Sequence, residues 1–202
     1  MPWSAKASPH SANRRIVRTF SPVAIFALLL NVTSLAQAGI TKEGALTVFR
    51  TGGTEPLLSL MLPLSPPPTN TAPLLQFDFG FATDETNLPG AFFDSFSVTI
   101  QGDDPSQSVL LLTADTTGVI WAPPNPGGIN VHPAEIQHQT IPAENVNPKL
   151  ALQVAYSVSF ILPAVLLGRP IKVFLDLFDN LDGTNSLAYA KNVRLPTPIR
   201  LQ

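Results

Sequence analysis

Apolar and polar residues alternate one for one along much of this chain. Phe77, Phe79 and Phe81 are separated by Gln76, Asp78 and Gly80, which places three aromatic rings on one face of an extended segment. Phe96, Val98 and Ile100 alternate with Ser95, Ser97, Thr99 and Gln101. Val154, Tyr156, Val158, Phe160 and Leu162 do the same against Gln153, Ala155, Ser157 and Ser159. Ile171, Val173, Leu175 and Leu177 are spaced by Lys172 and Asp176, with Phe174 and Phe178 making the second face partly apolar. Shorter runs at Leu46–Arg50, Leu57–Met61, Val109–Thr113, Gly118–Trp121 and Leu187–Leu195 complete about eight to nine predicted strands. Turn residues punctuate most of the gaps. The pattern predicts an all-β protein, an antiparallel β-sandwich of jelly-roll-like design.

Two segments interrupt the alternation. Residues 62–73 (LPLSPPPTNTAP) and 122–148 (APPNPGGINVHPAEIQHQTIPAENVNP) are rich in proline, which fixes its own φ and has no amide to donate, so both are expected as long irregular loops. Residues 150–168 form a 19-residue uncharged run between Lys149 and Arg169. Its length suits a membrane span, but Gln153, Ser157, Ser159 and Pro163 and the strict period of two favour a strand followed by a turn.

The first 38 residues follow another logic. Lys6, Arg14, Arg15 and Arg18 precede an uncharged, mostly apolar run from Phe20 to Val32, and Ala36-Gln37-Ala38 supplies an A-x-A site before Gly39. That order reads as a secretory signal peptide (residues 1–38) cleaved near Ala38-Gly39, leaving one β-sandwich domain over residues 39–202. Secretion or a periplasmic location in a bacterium is therefore expected, with no stable membrane insertion once the signal is removed. Arg14-Arg15 lacks the hydrophobic follow-up of a twin-arginine signal, which favours the general secretion route.

Composition agrees with many short strands. The 202 residues are 45% hydrophobic but only 13% charged, with 21 Pro, against averages of about 25% charged and about 5% Pro. Zero Cys excludes disulfides, thiolate nucleophiles and Cys-ligated metals. No basic residue falls between Arg50 and Lys149, a stretch that holds ten acidic ones. Such a surface repels phosphate backbones, so nucleic acid is not expected as a partner, while cations and neutral ligands stay open.

The runs FDFGFATDETNLPGAFFDSFSVTI (Phe77–Ile100) and LDLFDNLDGTNSLAYAKNVRL (Leu175–Leu195) resemble stretches of secreted bacterial β-sandwich proteins of the PEP-CTERM and choice-of-anchor type. The resemblance covers about a third of the chain after residue 38. It implies a jelly-roll-like extracellular domain. The ending departs from that pattern, because only PTPIRLQ follows Leu195, with no apolar tail or basic cluster, and membrane-bound sorting is not expected.

Candidate chemistry is sparse. In the loop DLFDNLDGTN, Asp176, Asp179, Asp182 and Asn185 offer the hard oxygens that calcium takes, and Gly183 permits a sharp turn. The spacing is not that of an EF-hand, and a hairpin turn with Asx side chains bonded to the backbone is the plainer account. Asp94 shares the parity of Phe96, Val98 and Ile100, so it points at the core unless the strand begins after it; with Asp84 and Glu85 it forms a second acidic group, open to a cation at one end of the sandwich, for which a solvated acidic rim is the plainer account. His132, Glu135 and His138 have metal-ligand types at the wrong spacing for a zinc helix, in a segment holding Pro133. Trp121 is a candidate platform for a sugar or is packed beneath the long loop. No G-x-S-x-G elbow, dinucleotide fingerprint or P-loop occurs. The expected function is non-catalytic binding, or a part in surface or matrix assembly, with carbohydrate or a cell-surface component as partner. The alternative is a carbohydrate-binding module or a small glycoside hydrolase using paired carboxylates.

Overall fold

A computed structural model describes residues 38–67, 73–86, 92–121, 136–142 and 153–196. Residues 1–37, residues 68–72, His132, Glu135 and most of residues 122–148 lie outside the described residues. Eleven strands form in chain order: β1 (Gly39–Glu43), β2 (Leu46–Arg50), β3 (Leu57–Leu64), β4 (Leu74–Thr83), β5 (Ser95–Gln101), β6 (Ser108–Asp115), β7 (Gly118–Trp121), β8 (Ile136–Thr140), β9 (Val154–Ile161), β10 (Ile171–Phe178) and β11 (Ser186–Arg194).

They make two antiparallel sheets, one ordered β1-β2-β11-β4-β9-β8 and the other β3-β10-β5-β6-β7. Their central strands, β2-β11-β4-β9 and β3-β10-β5-β6, have the order of a jelly roll, in which most connections carry the chain from one sheet to the other. The fold class read from the alternation is therefore the one observed. Two strands were not expected. β8 lies inside the supposed loop 122–148, and β1 begins directly after the A-x-A site. The other loop is shorter than expected too, since β3 continues through Pro63 to Leu64. β3 is an edge strand, where a residue without an amide hydrogen costs no ladder bond on its open side.

The aromatic parity sets the core. Phe77, Phe79 and Phe81 of β4 face Phe96, Val98 and Ile100 of β5 and the inward row Ile171, Val173, Leu175 and Leu177 of β10, all of them buried. Phe96 ties the two sheets, its ring centroid lying 5.8 Å from that of Phe49 and 6.1 Å from that of Phe79. Burying a Phe side chain contributes roughly 1.5–3 kcal/mol, so these rings dominate the packing. A bulge where Val98 pairs with Leu112 and Thr99 with Leu110 lets both Leu111 and Leu112 turn inward. The uncharged run after Lys149 is β9 and a 3-10 turn over Ala164–Leu166, and among the described residues no helix is long and apolar enough to cross a membrane.

Candidate functional site

Three connections meet at one end of the sandwich: β2 to β3, β4 to β5 and β10 to β11. Main-chain bonds fasten them, with Asp84 N donating to Asn185 O at 3.0 Å, Thr51 N to Ser186 O at 3.0 Å, and Asp179 N to Pro56 O at 2.9 Å. Where they meet, three carboxylates are taken out of water: Glu85 is 8% exposed, Asp179 3% and Asp94 0%.

Asp179 sits one residue past β10 and clamps two loops. Its Oδ1 accepts from Leu181 N at 2.7 Å and its Oδ2 from Gly52 N at 3.1 Å. Asp182 caps the next turn, accepting from Thr184 N at 2.8 Å and Thr184 Oγ1 at 2.7 Å. Those donors hold the fully exposed Asp182 carboxyl below the usual carboxylate range.

Glu85 and Asp94 are held the opposite way. Glu85 Oε2 accepts from Asp94 N at 2.8 Å, and its Oε1 from Asn180 Nδ2 at 2.8 Å. Burial outweighs these donors and, with the like charges of Asp94 and Asp182, pushes the Glu85 carboxyl up to about 7. Asp94 Oδ1 accepts from Asn180 N at 2.9 Å, yet burial raises this carboxyl as well, opposed by the Ser186 hydroxyl and the Asn180 amide. The Ser186 hydroxyl is bonded to Thr83 Oγ1 at 2.7 Å, and Asp94 Oδ2 has no hydrogen-bond partner within bonding geometry.

The structure thus divides the predicted calcium set and joins part of it to the second acidic group. Asp179 and Asp182 belong to the cluster. Asp176 does not: it faces outward from β10, where Ser59 Oγ donates to its Oδ1 at 2.5 Å. Asn185 is exposed, with its Oδ1 beside Gly52. Asp84 is exposed, whereas Asp94, placed just ahead of β5, turns inward instead of standing on a solvated rim. Among the described residues, no group of three His, Cys, Asp or Glu side chains is placed to hold a metal ion. Asn180 belongs to the oxygen-rich loop read from the sequence but not to its expected ligand set; its amide bridges Glu85, the Phe92 carbonyl and Asp182, a link between two connections that the sequence does not show.

Trp121 lies at the opposite pair of sheet edges. Its indole stacks on His138 of β8 with centroids 4.0 Å apart and planes at 16°, and meets Tyr156 and Phe79 edge-on at 5.2 and 6.1 Å. The stack therefore bridges β7 of one sheet and β8 of the other. One ring face is already covered by His138, which weakens the sugar-platform reading. His138, considered in the sequence beside His132 and Glu135, serves here as the stacking ring. Comparisons of the chain with protein-family models, with curated proteins and with solved structures each found no match.

Proposed function

We propose that this chain is an exported, non-catalytic β-sandwich that works by binding, as a component of a cell-surface or matrix assembly. The observation that carries this reading is the outer face of the five-stranded sheet. There the register sets Leu57 opposite Phe178 and Met61 opposite Phe174, and Leu57, Met61 and Phe178 are exposed at 52%, 43% and 41%. A row of aromatic and aliphatic side chains left in water is the kind of surface that a partner covers. The basic, apolar and Ala-x-Ala order of the N-terminal residues supports export, and the resemblance to PEP-CTERM and choice-of-anchor proteins supports an extracellular place of action.

Fractionation of bacteria expressing the full chain tests it. The expected result is a product whose N-terminus is Gly39, recovered outside the cytoplasm with envelope or matrix material. The double variant Leu57→Ser, Phe178→Ser is expected to leave that material for the soluble fraction while melting near the wild-type temperature. Wild-type protein that stays in the cytoplasm, or an identical distribution of the two proteins, contradicts the reading.

A further inference from the structure

We propose that two copies of this chain associate through strand β3, edge to edge and antiparallel, so that their five-stranded sheets join into one across a two-fold axis at Ser59. The main chain of β3 carries the inference. Asp179 N donates to Pro56 O at 2.9 Å, which continues the register that sets Phe178 opposite Leu57. Backbone groups alternate sides along a strand, so Pro56, Leu58, Leu60, Leu62 and Leu64 address β10, while Leu57, Ser59, Met61 and Pro63 turn their main-chain polar groups to the open edge. Exposed edges are ordinarily blunted by charge, shortness, a bulge or a cover. β3 has eight residues, no charge and an unbroken register with β10. By contrast, β1 carries Lys42 and Glu43, and β7, at the other end of the same sheet, has only four residues and is bridged to β8 by the Trp121–His138 stack.

The edge is complementary to itself. Antiparallel pairing about Ser59 sets Leu57 opposite Met61 of the second copy, Ser59 opposite Ser59 and Met61 opposite Leu57, so that open-side positions meet only open-side positions. Each facing pair exchanges two bonds, about six in all, and Pro63, with no amide to give, falls beyond the ladder. On the outer face the register with β10 carries the row Phe178–Leu57 on into Met61 and Phe174 of the second copy, and the two-fold axis repeats that row. On the inner face Leu58 meets Leu60, apolar against apolar. A foreign strand would find the same ladder, but a second copy also brings the matching apolar row and no charge of its own to the seam. With one such edge per chain the pairing closes at two and does not propagate. The dimer rests on the reading above in taking this face as a covered surface, and it adds the partner that lies along its edge.

The test is sedimentation equilibrium of the protein purified after expression of the full chain, over a series of concentrations. The expected result is a monomer–dimer equilibrium with no larger species. Ser59→Pro removes the central open-side amide without touching a bond to β10 and is expected to be monomeric, whereas Ser59→Ala loses the same hydroxyl and stays dimeric. Because the chain has no Cys, a single thiol can be placed at will. Ser59→Cys sets two Cα atoms about 5.5 Å apart across the axis, within the span of a disulfide. Under mild oxidation it is expected to cross-link about tenfold or more faster than Lys172→Cys, which stands in solvent on β10 away from the axis. If Ser59→Pro does not fold, the cross-linking pair decides. A monomer at every concentration overturns the proposal, as does a dimer that survives in folded Ser59→Pro, or equal cross-linking at the two sites. Failure of the binding reading looks different: a wild-type monomer that still partitions with envelope or matrix material ends the dimer alone, and a dimer that stays soluble ends the assembly reading alone.

Discussion

Tyr189 of β11 lies directly opposite Gly80 of β4 and fills the space where a side chain would stand: a Cβ added at Gly80 would come within 2.3 Å of the tyrosine ring. Tyr189, Val48 and Leu187 form a second buried cluster on the outer side of the six-stranded sheet, and the missing side chain at Gly80 is what admits the ring. Gly80→Ala is expected to destabilise the protein by about 1–3 kcal/mol through overpacking. Urea denaturation checks this, and Tyr189→Leu in the same chain should return part of the loss because the clash goes with the ring.

Leu181 is held at φ 62° with its side chain half in water, between the clamp of Asp179 and the cap of Asp182. The left-handed region costs a branched residue roughly 1–2 kcal/mol, whereas glycine enters it freely. Leu181→Gly should therefore raise stability by about 0.5–1 kcal/mol once the larger unfolded-state entropy of glycine is deducted. A thermal melt reads it, and a loss of stability would show that the leucine side chain holds the loop.

The Trp121–His138 stack joins the free edges of the two sheets, so removing one ring opens the other to water. His138→Ala should cost about 0.5–1.5 kcal/mol, the range for aromatic pairs, and shift Trp121 emission to longer wavelength. An unshifted spectrum would place the indole elsewhere.

Protonation is expected to favour the fold over a defined window. Glu85 is raised from 4.5 to about 7 by burial, and Asp94 moves in the same direction, so the folded state binds these protons more tightly than the unfolded chain does. Their stabilisation is complete below the unfolded values and is lost as the pH rises from about 4.5 through about 7. Melting temperatures measured in chelator should fall across that window and level off above it, and Glu85→Gln should flatten the slope. Asp104 and Asp182, held low by their turn donors, act oppositely and only in stronger acid.

Alternation exposed strands such as β5 and β10 that bury one face, because a half-buried strand must place its apolar residues two apart. The two that escaped, Gly39–Glu43 and Ile136–Thr140, are edge strands; in the second only Ile136 is buried, so no pattern was required of it. Proline marked Pro63 as a loop residue when it stood on an open edge. At the loop end, the same parity that removed Asp176 to the outer face could be read in the sequence. The burial of Asp94 beside Glu85 could not, since it depends on connections far apart in the chain arriving together: Asn180 lies 95 residues along the chain from Glu85 and 86 from Asp94, and it binds both.

The central claim is that the sandwich brings these acids together out of water, and the side-chain carboxyl resonance of Glu85, followed by NMR from about pH 3 to about pH 9 in chelator, tests it most directly. The structure predicts a midpoint near 7, with a second perturbation at the same resonance as Asp94 titrates. A midpoint at the ordinary 4.5 would mean that Glu85 stands in solvent and that the loops do not meet as described.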